Sequence, residues 1–192
     1  MSKERLTAFS DGVIAIIITI MVLELKVPHG ADWAALAKLL PTFLSYILSF
    51  TFVAIYWNNH HHLLFAAKRV NGAILWANTH LLFWLSLLPF ATGWMGENHF
   101  ATLPVAVYGV ALLMPAIAYF VLQSRIVRAN GDDKALADAL GHDIKGRISP
   151  LFCIAGIGLA FVNPWLACTS YVLLALMWLV PDRRIEKSIS GS

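Results

Sequence analysis

Hydrogen-bonding and ionisable side chains interrupt three apolar stretches of the sequence. Ser10 and Asp11 lie in the first stretch, three consecutive histidines (residues 60–62) end the second, and Asn78 and His80 lie in the third. A carboxylate and a histidine can relay protons, because a histidine changes its charge near neutral pH. The same groups can instead form a buried network of hydrogen bonds between helices. These residue types therefore leave two predictions open, proton transfer and structural support.

The three adjacent histidines do not predict a metal site. Neighbouring side chains on a helix point about 100° apart, whereas two ligands of one ion lie four residues apart. Cys153 and Cys168 lie in separate apolar runs, so neither a disulfide nor a metal site is expected there. No nucleophile lies at a convincing spacing from a base. We therefore expect no metal, no cofactor and no enzyme activity.

The composition predicts a protein of the lipid bilayer. Of the 192 residues, 59% are hydrophobic and 13% are charged, and the mean hydropathy is +0.70. Such a chain has too few charges to cover a soluble domain of its size. Its pI is near 9.0, but the basic residues lie between apolar runs rather than along one face. No nucleic-acid partner is expected.

The apolar runs predict an all-α membrane protein with six transmembrane helices in a single domain. The predicted spans are residues 4–26, 41–64, 71–93, 103–124, 147–162 and 164–181. Asp32 is expected to begin a short helix through Leu40, between the first two spans. Residues 125–146 are predicted to form a surface loop, in which Asp132 or Asp133 begins a short amphipathic helix. Most Lys and Arg residues lie on the side of both termini, which predicts a cell-membrane protein with cytoplasmic termini and a cytoplasmic 125–146 loop.

The polar groups of the first three spans share one depth. At about 1.5 Å per residue, Ser10, Asp11, His60, Asn78 and His80 lie roughly 12 to 16 Å along their helices from the same membrane side. The sequence therefore predicts a buried network in which Asp11 bonds to His60, Asn78 or His80.

The first predicted helix has two different faces. Ser10 and Asp11 point away from an aliphatic stripe that contains Ile16, Ile20 and Leu23. We expect Ser10 and Asp11 to be buried against the same subunit, because an unpaired carboxylate in low dielectric is costly. The stripe is either an ordinary lipid or core contact, or the lining of a symmetry axis.

The motif Arg5-x-x-x-Phe9-Ser10-Asp11 at the start of this helix resembles the signature of the transmembrane protein 175 family, the lysosomal potassium channels and their bacterial relatives. Further features of that family are resembled by Trp57, His60, Asn78 and the pair Leu88-Pro89.

The resemblance implies a homotetrameric channel whose first helices line a central pore for potassium and other monovalent cations. The implied constriction is Ile16, followed by Ile20 and Leu23, with Thr19 as a secondary position. The sequence lacks the Thr-Val-Gly-Tyr-Gly carbonyl filter, so the preference for potassium comes from the resemblance alone. The network expected to support the pore helix from behind comprises Arg5, Phe9, Ser10, Asp11, Trp57, His60 and Asn78.

Three points stay open from the sequence. On an ideal helix Arg5 points near the pore line, so it either supports the helix, crosses a subunit boundary or lies at the inner mouth. A proton-coupled or proton-conducting transporter that uses Asp11 and His60 is the alternative function. Glu24, near the outer end of the first span, either attracts cations or reaches toward lipid headgroups.

Overall fold

Most residues that the computed structural model describes, 2–130 and 144–179, lie in a helix. No strand occurs in these two ranges. The helices are α1 (Lys3–Leu23), α2 (Trp33–Ala37), α3 (Leu40–Ala66), α4 (Gly72–Leu85), α5 (Leu88–Glu97), α6 (Thr102–Ala129), α7 (Ile144–Ala160) and α8 (Pro164–Leu179). The all-helical class predicted from the sequence is therefore confirmed.

Local side chains explain where several helices begin. The Asp32 carboxylate accepts a hydrogen bond from the backbone N–H of Ala35 at 2.7 Å, as expected of an N-cap residue. The short helix that follows ends at Ala37 instead of reaching Leu40. Asn71 caps α4 in the same way, accepting from the N–H of Ile74 at 3.0 Å. Pro41 lies in the first turn of α3, where its missing N–H costs nothing.

The third predicted span is divided into α4 and α5. The helix that was expected to run without interruption from residue 71 to 93 breaks after Leu85, and Leu87 donates its N–H to the Trp84 carbonyl only three residues back. Pro89 explains the break, because it has no N–H to donate to the carbonyl of Leu85. Taken together, Gly72–Glu97 is still long and apolar enough for one membrane crossing.

Four helical segments have the length and composition of a membrane span: Lys3–Leu23, Leu40–Ala66, Gly72–Glu97 and Thr102–Ala129. The remaining two long helices, α7 and α8, contain 17 and 16 residues. At about 1.5 Å per residue they are roughly 25 Å long, somewhat shorter than the hydrocarbon layer. The count of six crossings therefore stays a prediction.

Several predicted boundaries differ from the structure. α1 ends at Leu23 rather than at residue 26, and α6 continues through Pro115 to Ala129 rather than ending at residue 124. The first part of the predicted 125–146 loop is thus helical. The short helix expected after Asp132 or Asp133 lies outside the described residues.

A buried tyrosine holds α6, α7 and α8 together. The Tyr171 ring of α8 is fully buried, and its hydroxyl donates to the carbonyl of Val105 at 3.3 Å. Two glycines allow this approach: a Cβ at Gly109 would lie 2.1 Å from the Tyr171 hydroxyl oxygen, and one at Gly156 would lie 2.2 Å from the ring. Both contacts are too short for any side chain, so the packing requires glycine at both positions.

We expect Gly156→Ala to lower the free energy of unfolding by about 1–3 kcal/mol, because the added methyl group must displace the Tyr171 ring. Gly158→Ala is the matched control on the same helix, since no atom lies within 4 Å of its Cβ position. That substitution should be neutral or slightly stabilising, because alanine favours helix over glycine. Denaturant titration of the purified protein followed by tryptophan fluorescence measures both values. Equal effects at the two positions would contradict the packing argument.

Candidate pore-lining face and its supporting network

α1 packs against α3, α4 and α5 and is tied to the neighbouring helix ends. The Lys3 ammonium group donates to the carbonyls of Phe65 and Ala67, at 2.7 and 3.0 Å, beyond the last turn of α3. Asn130, at the end of α6, accepts from the backbone N–H groups of Lys68 and Arg69. The start of α1, the end of α3, the start of α4 and the end of α6 therefore lie on one side of the molecule.

The two faces of α1 differ sharply in burial. One face is buried against the other helices and contains Leu6, Ser10, Ile14, Ile17 and Met21. The opposite face is exposed: the exposed fractions are 57% for Phe9, 59% for Ile16, 43% for Ile20 and 73% for Leu23. We call Ile16, Thr19, Ile20 and Leu23 the exposed stripe of α1.

The exposed stripe offers no free hydrogen-bonding group along its length. Thr19 is its polar member, and the hydroxyl of that residue donates to the carbonyl of Ala15 at 2.9 Å. Gly12, one turn before Ile16, is also exposed, and no atom lies within 4 Å of its Cβ position. Ile16 therefore projects from the helix next to an open space, without a neighbour in its own subunit on that side.

A chain of hydrogen bonds fixes the buried face of α1 to α4 and α3. The Asn78 amide nitrogen donates to the Ser10 hydroxyl at 2.9 Å, and His60 Nε2 lies 2.6 Å from Asn78 Oδ1. Because Oδ1 has no hydrogen, His60 donates from Nε2. The Ser10 hydroxyl completes the chain by donating to the carbonyl of Leu6 at 2.8 Å. Exposed fractions of 0%, 0% and 1% for Ser10, Asn78 and His60 place the whole chain of bonds away from solvent and lipid.

His60 has one nitrogen that this chain of bonds does not use. Its Nδ1 atom is buried and has no hydrogen-bond partner among the described residues. With the proton fixed on Nε2, Nδ1 of the neutral ring carries a free lone pair. No hydrogen bond joins His60 to Asp11 within the described part of the chain.

Asp11 lies at the edge of the buried face rather than within it. Its Oδ1 atom accepts a hydrogen bond from the indole Nε1 of Trp57 at 3.0 Å, and the residue is half-buried. The prediction that Asp11 bonds to His60, Asn78 or His80 is wrong, because its partner is Trp57. The prediction that Asp11 is buried against its own subunit is confirmed only in part. His80 is exposed on α4, where it accepts a hydrogen bond from Trp84.

Two residues expected behind α1 lie elsewhere. Arg5 and Phe9 are exposed on the same side of the helix as the exposed stripe, and the Arg5 side chain has no hydrogen bond or ion pair to a described residue. Their spacing from Gly12 and Ile16 explains this position, because residues three and four apart share a helix face. Arg5 and Phe9 therefore do not support α1 from behind within its own subunit.

Comparisons with known proteins identify the family of this chain. The profile of the family described as endosomal/lysosomal potassium channel TMEM175 matches residues 5–89, which run from α1 to the first turn of α5. A potassium channel from Chryseobacterium sp. (strain P1-3) is 58% identical over 189 residues, covering 98% of both chains. The chain belongs to the TMEM175 family.

Other members of the TMEM175 family are more distant. A potassium channel from Streptomyces collinus is 31% identical and is matched over 91% of this chain and 90% of its own length. The crystal structure of a lysosomal potassium-selective channel TMEM175 homologue from Chamaesiphon minutus has a TM-score of 0.81 at 27% identity, covering 93% of this chain and 96% of that one. The human endosomal/lysosomal proton channel TMEM175 is 37% identical over 103 residues, which are 47% of this chain and 20% of the human protein. These relatives are named as channels, and the protein is not an enzyme.

The three adjacent histidines lie in different surroundings. His60 is buried, whereas His61 is exposed between the rings of Trp57 and Phe65, with centroid distances of 6.1 and 6.4 Å. Within the described ranges, no three His, Cys, Asp or Glu residues are grouped so that they could hold a metal ion. In this TMEM175 family member, His60 forms a hydrogen bond and His61 forms ring contacts.

A second buried polar cluster, which was not predicted from the sequence, lies between α3, α5 and α6. The Ser49 hydroxyl lies 2.9 Å from the Tyr108 hydroxyl and 2.7 Å from that of Thr92, which joins α3, α5 and α6. Ser45 and Ser49 are four residues apart on α3, and this spacing of small polar residues was the available signal. Among the described residues these hydroxyls all have partners, so we interpret the cluster as structural.

The charged residues after α1 face their own subunit. The Glu24 carboxylate lies beside Gly93, where a Cβ atom would be 3.7 Å from Oε2. The Lys26 ammonium group donates to Glu97 Oε1 at 2.5 Å. This hydrogen bond, together with the charge of Glu97, raises the pKa of Lys26 above its usual range. Whether Glu24 attracts cations or reaches toward lipid headgroups stays a prediction.

Proposed function

We propose that the protein is a subunit of a potassium-preferring cation channel, in which the α1 helices of four copies surround a central pore. The observation that carries this proposal is the division of α1 into a buried face and the exposed stripe. A helix fixed from behind by Ser10, Asn78 and His60 can present the same aliphatic side chains to a symmetry axis in every copy. The potassium preference rests on the names of the bacterial relatives.

Ile16 is proposed as the narrowest point of this pore, with Ile20 and Leu23 one and two turns further along and Thr19 beside them. A ring of four isoleucine side chains forms a narrow apolar passage in which a column of water is unfavourable. A small outward movement of α1 widens the ring and restores the water, so the passage opens and closes by wetting. Cation preference then arises from pore width and from the hydration energy that an ion loses at this ring.

We place six crossings in each subunit, with both termini in the cytoplasm of the cell and the permeating ions as the only non-protein component. The excess of Lys and Arg on the side where α1 starts supports this orientation. Glu24 then lies at the outer end of the pore, beside Gly93. The hydrogen bonds of Ser10, Asn78 and His60 lie in the cytoplasmic half, where they keep α1 in register.

Ion flux into liposomes tests this proposal. The purified full-length protein is reconstituted, and a potassium, sodium or proton gradient is imposed in separate experiments with a fluorescent indicator for each ion. We expect potassium flux without any coupled substrate, slower sodium flux and dependence on protein content. Protein-dependent flux of protons without potassium would overturn the potassium proposal and favour the alternative that uses Asp11 and His60. Liposomes that pass none of the three ions would contradict a channel of either kind.

A further inference from the structure

Polar side chains remain exposed on the two helices that flank α1. On α3 these are Asn58 and His61, and on α4 they are Thr79 and His80. Asn58 lies eight residues before the end of α3, and His80 lies eight residues after the start of α4. Because those two helix ends lie on the same side of the molecule, both residues are about 12 Å along their helices from it. This depth reaches the hydrocarbon layer, where exposed polar groups are unfavourable.

The hydrogen-bonding state of His80 is fixed by its neighbour. The indole Nε1 of Trp84 donates to His80 Nε2 at 2.8 Å, and an indole nitrogen can only donate. In the neutral ring the proton is therefore on Nδ1. This N–H group points away from Trp84 and has no acceptor among the described residues. His80 thus presents a hydrogen-bond donor at a surface that no part of the described chain covers.

The complementary groups lie on α3. The side-chain amide of Asn58 makes no hydrogen bond within the described residues, and the His61 nitrogens make none either. An amide oxygen and an unprotonated imidazole nitrogen are both acceptors for an N–H group. α4 therefore exposes a donor at the depth at which α3 exposes the Asn58 amide, and His61 lies about one turn closer to the end of α3.

The other side of the molecule looks different. Away from their ends, the exposed side chains of α6, α7 and α8 are apolar except for Thr169, whose hydroxyl donates to the carbonyl of Trp165 at 2.9 Å. Such a surface suits lipid, because its side chains are apolar and the one exposed hydroxyl is bonded within its own helix. The contrast separates a lipid-facing side, α6 to α8, from a side made of α1, α3 and α4 that lipid covers poorly.

We propose that a second copy of this chain covers the exposed flank of α4, and that it does so with the exposed flank of α3. This inference rests on the proposed function, since it uses a ring of subunits around α1. α1 contacts α4 through Ser10 and contacts α3 through Asp11, the next residue around the helix. We infer that α3 and α4 lie toward its two edges. Rotation about an axis in front of α1 then brings α4 of one subunit against α3 of the next, an interface between two different surfaces that closes into a ring. His80 donates from Nδ1 to Asn58 or His61 of the partner subunit.

Cysteine cross-linking in membranes tests the interface. The double variants His61→Cys/His80→Cys and Asn58→Cys/His80→Cys are oxidised with a membrane-permeant catalyst and separated without reductant. We expect at least one of them to give a ladder of two, three and four linked subunits, because each chain links to a different neighbour on each side. The three corresponding single variants should remain monomeric. A ladder that ends at two subunits, or a single variant that forms dimers, would overturn the proposed interface.

The control is the double variant Phe120→Cys/Leu151→Cys. Phe120 is 57% exposed on α6, and Leu151 is 63% exposed on α7. It should give no linked subunits, because this side faces lipid. The unsubstituted protein, with Cys153 and Cys168 on α7 and α8, is the blank. Linked subunits from the control pair but from neither test pair would mean that the subunits meet through α6 and α7, and the proposal would be wrong.

A second measurement covers the case in which a cysteine variant does not fold. His80→Leu removes the donor and keeps an apolar side chain, and we expect it to raise the concentration at which the detergent-solubilised assembly dissociates about tenfold. Thr79→Val is its control, because the Thr79 hydroxyl is already bonded to the carbonyl of Leu75 at 3.0 Å. Unchanged dissociation of His80→Leu would mean that lipid covers this flank.

The same samples separate this inference from the proposed function. A tetramer that conducts potassium but yields no ladder from either test pair would refute the interface and leave the channel proposal standing. Cross-linked products of two, three and four subunits, in a protein that conducts no ion, would support the interface and refute the channel.

Discussion

Replacing Ile16 with asparagine is expected to raise potassium flux through reconstituted protein at least about tenfold and to weaken the discrimination against sodium. Ile16 is 59% exposed on α1, next to the open position of Gly12. Four amide groups in place of four aliphatic side chains would hold water in the narrowest ring, which lowers the barrier to a hydrated ion. A tenfold rise corresponds to a barrier lower by about 1.4 kcal/mol. The measurement is initial flux in liposomes under a potassium gradient and then a sodium gradient.

Ile154→Asn is the matched control for this experiment. Ile154 lies on α7 and is 55% exposed, so the substitution has the same chemistry and nearly the same exposure. Because α7 lies away from α1, this variant should conduct as the unsubstituted protein does. Equal flux from Ile16→Asn and unsubstituted protein would mean that the exposed stripe is a packing surface. The transporter alternative with Asp11 and His60 would then be preferred.

Replacing Asn78 with alanine should destabilise the protein by about 2–4 kcal/mol. Asn78 is fully buried, and it bonds to Ser10 of α1 and to His60 of α3. Its removal leaves the His60 Nε2–H donor buried without a partner, in a ring whose Nδ1 already has none. A buried unsatisfied group costs about 1–3 kcal/mol, and the lost side-chain volume adds to this.

Thermal unfolding in detergent, followed by tryptophan fluorescence, measures the change. We expect the midpoint of Asn78→Ala to fall on the order of 10 °C. Asn98→Ala is the control, because the amide of Asn98 is exposed and donates only to the Trp94 carbonyl at 2.8 Å. The control should change the stability by less than about 0.5 kcal/mol. If both variants have the same unfolding midpoint as the unsubstituted protein, the hydrogen bonds of Ser10, Asn78 and His60 do not hold α1 in place.

The predictions that succeeded from the sequence depend on local properties of the chain. Runs of apolar residues require helices when the surroundings offer no hydrogen-bonding solvent, so the class and most helix bounds follow from hydropathy. The direction in which each side chain of α1 points follows from 3.6 residues per turn. This spacing places Ser10 and Ile16 on opposite faces. The structure confirms the helical class and the two faces of α1, since Ser10 is fully buried and Ile16 is exposed.

Proline shows where local reasoning stops. Pro89 and Pro115 both lie within predicted spans, yet the helix breaks before Pro89 and continues through Pro115. Each proline removes one N–H group from its helix. Whether the helix then breaks depends on the neighbouring helices that pack around that turn, and the sequence does not specify these neighbours.

The sequence by itself determined that this is an all-helical, membrane-type chain, that Ser10, His60 and Asn78 lie at one depth, and that the exposed stripe of α1 faces away from Ser10. Residue spacing sets depth and direction along a single helix, and nothing more is needed for these results. Only the tertiary structure decided which side chains meet. Asn78 pairs with His60 and Ser10, whereas Asp11 pairs with Trp57 and His80 with Trp84. The physical reason is that helix rotation and separation are set by packing among several helices, and a hydrogen bond forms only where that packing brings donor and acceptor within about 3 Å.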